Sequence, residues 1–142
     1  MTLPDTTRSI GDIAPDTIEA FHSERLSILS AVHERLRNDT TLREHLGGET
    51  EARIAHESAR ILAENVYVCV KYGLPAALTE YLDWLRVYLG SRSFPVEFLP
   101  RLLQALQMAS VAFLPAAAAD QMSTFFHELR AHVRSASQEV AA

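Results

Sequence analysis

The side chains of this chain best suited to chemistry are six histidines, one cysteine and a helical run of aromatics. His22 and His33 share a helix face but sit about 16 Å apart, too far to hold one ion between them. His127 and His132 are five residues apart and point in different directions. No His-x-x-x-His or Cys-x-x-Cys spacing stands out and no Glu-x-x-His pair is read as a ligand set, so no metal centre is expected. Cys69 lies in the most apolar stretch, and Lys71 sits about 200° around the helix from it. A nucleophilic thiol needs an electropositive, partly open setting, so Cys69 reads as a small buried hydrophobe. Asn65 and Glu64 interrupt that stretch as a helix–helix hydrogen bond, a wet face, or the polar lining of a pocket. Tyr67, Tyr72, Tyr81, Trp84 and Tyr88 recur at helical spacing, which is the pattern of a core or of a subunit interface. Asn65, Cys69, Tyr81 and Trp84 are therefore the candidate pocket residues, and Tyr81, Trp84 and Tyr88 the candidate interface. There is no glycine-rich phosphate loop, and no serine, cysteine or carboxylate pair has a catalytic spacing. An enzyme is not expected.

Length and composition narrow the class. The chain has 142 residues, 48% of them hydrophobic and 22% charged, which suits one globular domain with a substantial core. The net charge is −5, and Arg25, Arg35, Arg37 and Arg43 are interleaved with Glu24, Glu34, Asp39 and Glu44. That is a solvated helix face rather than the basic surface of a nucleic-acid binder, so no nucleic-acid partner is expected. A lone cysteine excludes an intramolecular disulfide. Met1 to Arg8 lacks the regions of a signal peptide, and no apolar run approaches the ~20 residues that span a bilayer. A cytoplasmic location without membrane contact is the expectation.

The elements that must position these residues are all helical. Residues 1–14 read as a flexible polar arm, with residues 15–142 forming a single domain. Ile18, Phe21, Ile28, Leu29, Val32 and Leu36 place one helix over about 16–38, with Asp16 and Glu19 as a capping box. Thr41 is expected to cap a short helix ending at Gly47 and Gly48. A long helix follows over about 49–72, polar at its start and apolar at its end. Its β-branched run is the one place where a strand competes, and the periodicity back to Ile54 favours helix. Gly73 and Pro75 make a sharp stop and restart.

The helix over 75–89 has two apolar stripes: Leu78, Leu82, Leu85 and Leu89, and beside them Ala77, Tyr81, Trp84 and Tyr88. It must pack on more than one side, and Gly90 is expected to end it. Pro95 suits the first turn of the next helix, with an irregular turn or kink over 95–99 because of Pro100. Leu99, Leu102, Leu103, Leu106, Ala109 and Phe113 then form a core stripe. The last helix, about 116–138, buries Met122, Phe125, Phe126, Leu129 and Val133. The expectation is one all-α domain of five or six helices.

The segment Gly73, Pro75, Leu78, Tyr81, Trp84, Leu85, Leu89, Arg92, Pro95, Glu97, Leu99 and Leu103 resembles a bacterial module. It is similar to the helical N-terminal region of cobalamin-binding regulators and to the non-haem globin domains of stressosome sensors. It is more distantly similar to phycobiliproteins, and the likeness covers roughly residues 53–134. The resemblance implies a globin-like, homodimeric domain with a sensory or regulatory role in signal transduction and a pocket between the helices flanking Gly73. A haem would need a proximal histidine within 75–90, and none occurs. A bilin cysteine would fall near Ala55, some four turns from Cys69. No cofactor is therefore expected. In the resembling proteins an output domain follows, whereas Ala142 comes soon after the last helix. The expectation is signalling through a protein partner, or a sensor region of something longer. Two alternatives remain open: a carrier or sensor of a hydrophobic or tetrapyrrole ligand, and a protein-interaction scaffold.

Overall fold

The computed structural model describes residues 13–141, and over them every regular element is a helix. The order is α1 (Pro15–Ser23), α2 (Arg25–Arg37), α3 (Arg43–Leu46), α4 (Glu49–Lys71), α5 (Pro75–Ser91), α6 (Phe98–Phe113) and α7 (Ala116–Ala141). The all-α class holds, with seven helices among the described residues where five or six were expected. None is long and apolar enough to cross a membrane. Of the arm expected over 1–14, residues 1–12 lie outside the described residues. Ile13 packs against the core, and the Ala14 N–H donates to Gln121 Oε1 at 3.0 Å.

The framework is the α6–α7 hairpin, turned at Leu114 and Pro115, with α2 laid along α6. α1 bridges α7 and α4, and its Phe21 ring meets Phe126 on α7 at 5.9 Å. α4 and α5 pair and close the remaining side, α5 also reaching α7, where His132 and Asp83 are 3.0 Å apart. The buried residues of α4 include Ala55, Ala59, Leu62, Val66 and Cys69, alternating four and three apart, so one stripe faces inward along the whole helix. The β-branched run stays helical to Lys71, although Ile61 and Val68 point outward.

Several local expectations are corrected. The helix placed over 16–38 is divided at Glu24, and the Arg25 guanidinium donates to the His22 carbonyl at 2.8 Å beside the break. A side chain engaging a helical carbonyl is one recognised cause of such a kink. Asp16 does not cap: Ala14 is the N-cap residue, and the Glu19 carboxylate is engaged with Tyr67. Thr41 does not cap either; its N–H donates to Asp39 Oδ1 at 2.9 Å.

Gly90 does not end α5, which runs on to Ser91. Ser93 adopts φ +65°, and the Phe94 N–H reaches the Leu89 carbonyl while the Ser93 N–H reaches Gly90. That is a Schellman ending built on serine rather than glycine. Pro95 lies before α6 rather than in it, inside a turn that closes from the Phe98 N–H to the Pro95 carbonyl. α6 starts at Phe98, so Pro100 occupies its first turn, where the missing N–H would have had no intrahelical partner. Phe113, expected in the core, is exposed at the end of α6.

Candidate functional site

The α4–α5 pair carries an open site lined by the aromatic stripe. α4 ends in a Schellman turn: Gly73 has φ +64°, the Leu74 N–H donates to the Cys69 carbonyl at 2.7 Å, and the Gly73 N–H to Val70 at 3.3 Å. Pro75 then starts α5, which packs back against α4. Leu78, Leu82, Leu85 and Leu89 are all buried and fix the rotation of α5 about its axis. The neighbouring stripe of Ala77, Tyr81, Trp84 and Tyr88 is thereby turned outward and toward α4.

Those aromatics form a ladder. Tyr81 and Trp84 stack at 5.9 Å, and Trp84 and Tyr88 at 5.2 Å with planes 8° apart. Trp84 remains 57% exposed. Beside the ladder runs a groove of about 530 Å³ whose opposite wall is α4, through Ile54, Glu57, Ser58 and Ile61. Arg53 and Arg92 also line it, and the Arg92 guanidinium sits 6.0 Å from the Tyr88 ring centre. Burial pushes the Tyr81 phenol up to about 12, so it stays a neutral hydroxyl at physiological pH. Glu57 is held in its charged form, first by its hydrogen bond from Arg60 and then by that guanidinium's charge. The site is thus aromatic and apolar with charge at its edges, the composition of many ligand pockets.

The structure brings Tyr81, Trp84 and Tyr88 together but sets Asn65 and Cys69 apart from them. Asn65 Nδ2 donates to the Ile61 carbonyl of its own helix at 3.0 Å, and Asn65 does not line the groove. Cys69 is buried on the inner face of α4, and burial raises its thiol, so it stays protonated and inert. Tyr67 belongs to a separate cluster. Its hydroxyl donates to the Glu19 carboxylate at 2.9 Å and accepts from Lys71 Nζ at 2.8 Å, while His22 stacks on its ring at 3.9 Å. Glu19 and His22 form a lone Glu-x-x-His spacing, and both side chains are committed to Tyr67. Among the described residues no group of three or more His, Cys, Asp or Glu side chains is placed to hold a metal ion.

Sequence reasoning also missed a pairing of histidines. His33 on α2 and His56 on α4 stack with centroids 3.6 Å apart. They are 23 residues apart on different helices, so no spacing rule could have joined them. No family model matches the chain, and neither does any curated protein or solved structure.

Proposed function

We propose that this chain is a non-enzymatic, globin-like regulatory domain that works as a homodimer, pairing through the outward aromatic seam of α5 and signalling to a protein partner in the cytoplasm. The observation that carries the reading is the seam itself. Ala77, Tyr81, Trp84 and Tyr88 alternate four and three apart, the a/d rhythm of a helix that packs on another helix. The inner leucine seam has the same rhythm and is covered by the protein's own core; the outer one is covered only in part, with Tyr81 and Tyr88 half-buried against that core and Ala77 and Trp84 exposed. An exposed Trp84 stacked between half-buried tyrosines presents the residue types that anchor interfaces. Antiparallel self-pairing of α5 about a two-fold axis covers both copies of the seam at once. The order of long helix, glycine turn and proline-started helix around Gly73 supports the globin-like assignment. The reading requires no cofactor and no catalytic group.

Sedimentation equilibrium tests it. The expected result is a reversible monomer–dimer equilibrium that Trp84→Ala weakens strongly. A wild-type protein that stays monomeric at several hundred micromolar, a range in which even a weak dimer would show, would refute it.

The groove favours a second reading. Its volume and its Tyr81, Trp84 and Tyr88 wall suit a hydrophobic or tetrapyrrole ligand. A visible absorption spectrum of the purified protein, alone and with added haem, bilin or cobalamin, separates the two. A bound-chromophore band favours the carrier; a flat spectrum leaves the dimer.

A further inference from the structure

A second concave site lies between α2, the short α3 and α4, and it does not depend on how the α5 seam is used. Its volume is about 380 Å³, within the roughly 300–1,000 Å³ range of small-molecule pockets. The stacked His33 and His56 rings form one wall, their planes 11° apart. Arg37, one helical turn beyond His33, and Arg43 on α3 stand exposed at the rim, while Leu36 and Leu46 supply apolar surface. No carboxylate lines the cavity. Among the described residues neither arginine makes an ion pair. Glu57, adjacent to His56 in sequence, is taken by Arg60.

This is an unbalanced site. Three groups that carry or can carry positive charge face His33: His56 from α4, Arg37 from its own helix, and Arg43 across the cavity. His33 is held down to about 4, first by burial and then by the charges of His56 and Arg37. The carboxylate beside His56, that of Glu57, feels the charge of His56 but lies outside the cavity and is paired with Arg60. Face-to-face rings send their nitrogen lone pairs along parallel planes rather than toward one point, so the pair is badly placed to share a metal ion. The rings do offer a flat surface, and the two guanidiniums offer planar forks that match carboxylate oxygens.

We propose that this cavity binds a small organic anion, its carboxylate held by Arg37 and Arg43 and its compact apolar or aromatic body resting on the His33–His56 stack and on Leu36 and Leu46. A hydrated inorganic anion would satisfy the arginines and leave the apolar surface wet, so the body is part of the recognition.

The test is proton NMR of the histidine rings, assigned with His33→Gln and His56→Gln, during titration with naphthoate. Naphthalenemethanol serves as the neutral counterpart and inorganic phosphate as the anion without a body. Naphthoate is expected to shift both rings and to move the His33 titration midpoint upward, since a bound anion favours its protonated form. The alcohol is expected to bind at least about tenfold more weakly, the difference one charge-assisted hydrogen bond makes. Phosphate is also expected to bind more weakly than naphthoate. The doubly substituted Arg37→Gln, Arg43→Gln protein, with an unchanged circular dichroism spectrum, is expected to hold naphthoate no better than the alcohol. Rings that stay unmoved at millimolar naphthoate overturn the proposal. So does equal affinity for acid and alcohol, wild-type affinity in the double variant, or phosphate binding more tightly than naphthoate. Naphthoate that perturbs Trp84 fluorescence and not the histidines places the ligand in the other groove and overturns it as well.

Discussion

Trp84→Ala separates an interface role from a structural one. Trp84 is 57% exposed, so somewhat under half of its surface is covered within one subunit. A tryptophan presents about 250 Å², which leaves roughly 140 Å² free for a partner. At about 25 cal/mol per Å² that free surface is an upper bound of about 3.5 kcal/mol per subunit, and measured interface anchors lose about 2–4 kcal/mol on truncation. In a two-fold dimer the residue is lost from both sides. Taking about 2 kcal/mol per side gives about 4 kcal/mol, or roughly a thousandfold weaker dimer. The stacking on Tyr81 and Tyr88 is lost too, so the monomer is expected to lose about 1–2 kcal/mol. Leu85→Ala, at a site 2% exposed one residue further on, is the contrast. It empties core volume and is expected to cost about 3–5 kcal/mol of monomer stability. Sedimentation equilibrium over a wide concentration range measures the first effect and urea unfolding the second. A dimer constant that Trp84→Ala changes by only a few-fold, in a protein that remains folded, refutes the assignment of the seam to self-pairing.

Three further outcomes follow from the geometry. Ser93→Gly relieves a left-handed serine at the end of α5 and should raise stability by about 0.5–1 kcal/mol in thermal or urea unfolding. Asp39 accepts from the Thr41 N–H and from Arg101 Nη1, each at 2.9 Å, and so ties the α2–α3 turn to α6. Asp39→Ala should cost about 2 kcal/mol and Asp39→Asn less, because the amide oxygen can keep the turn; equal losses in urea unfolding would contradict this. Burial raises the Tyr81 phenol from 10.0 to about 12, so the native state holds that proton longer than the unfolded chain does. Stability from this group is complete below pH about 10 and is lost as pH rises toward about 12, and Tyr81→Phe should flatten that part of an alkaline unfolding profile.

The sequence made the helices legible and their ends much less so. Inward positions repeat over several turns, and repetition survives a single misleading residue. This is why the stripe from Ile18 to Leu36 on α1 and α2, and that from Met122 to Val133 on α7, are buried as their spacing predicts. An end depends on one backbone conformation at one residue. Gly73 announced its left-handed turn because glycine is the usual residue there, whereas Ser93 did the same job unannounced and Gly90 drew the boundary falsely. The break at Glu24 was hidden for a related reason. Ile18, Phe21, Ile28 and Leu29 keep helical spacing straight through it, and only the Arg25 bond to the His22 carbonyl marks the bend.

Periodicity found both seams of α5 but could not decide which one faces the core, since both have the same rhythm. The structure places the leucines inside and the larger amphipathic rings outside. Tyr and Trp tolerate an edge that is half wet, while a leucine gains nothing from one. The same limit hid the cavity on the other side of α4, where His33 and His56 meet only because α2 and α4 cross near them. Ile54, Glu57 and Ile61 line the aromatic groove; Ala52, Ala55 and His56 line the histidine cavity. At 100° per residue these two sets point nearly opposite ways around one helix. α4 is therefore a shared wall, and linkage makes any coupling between its two sides reciprocal. Each subunit of the dimer carries one cavity, so the factor by which saturating anion changes the dimer constant must equal the square of the factor by which dimerisation changes the affinity of each site. Both can be measured on the wild-type protein, and factors that break this square relation would mean that the species in one of the two experiments had been misidentified.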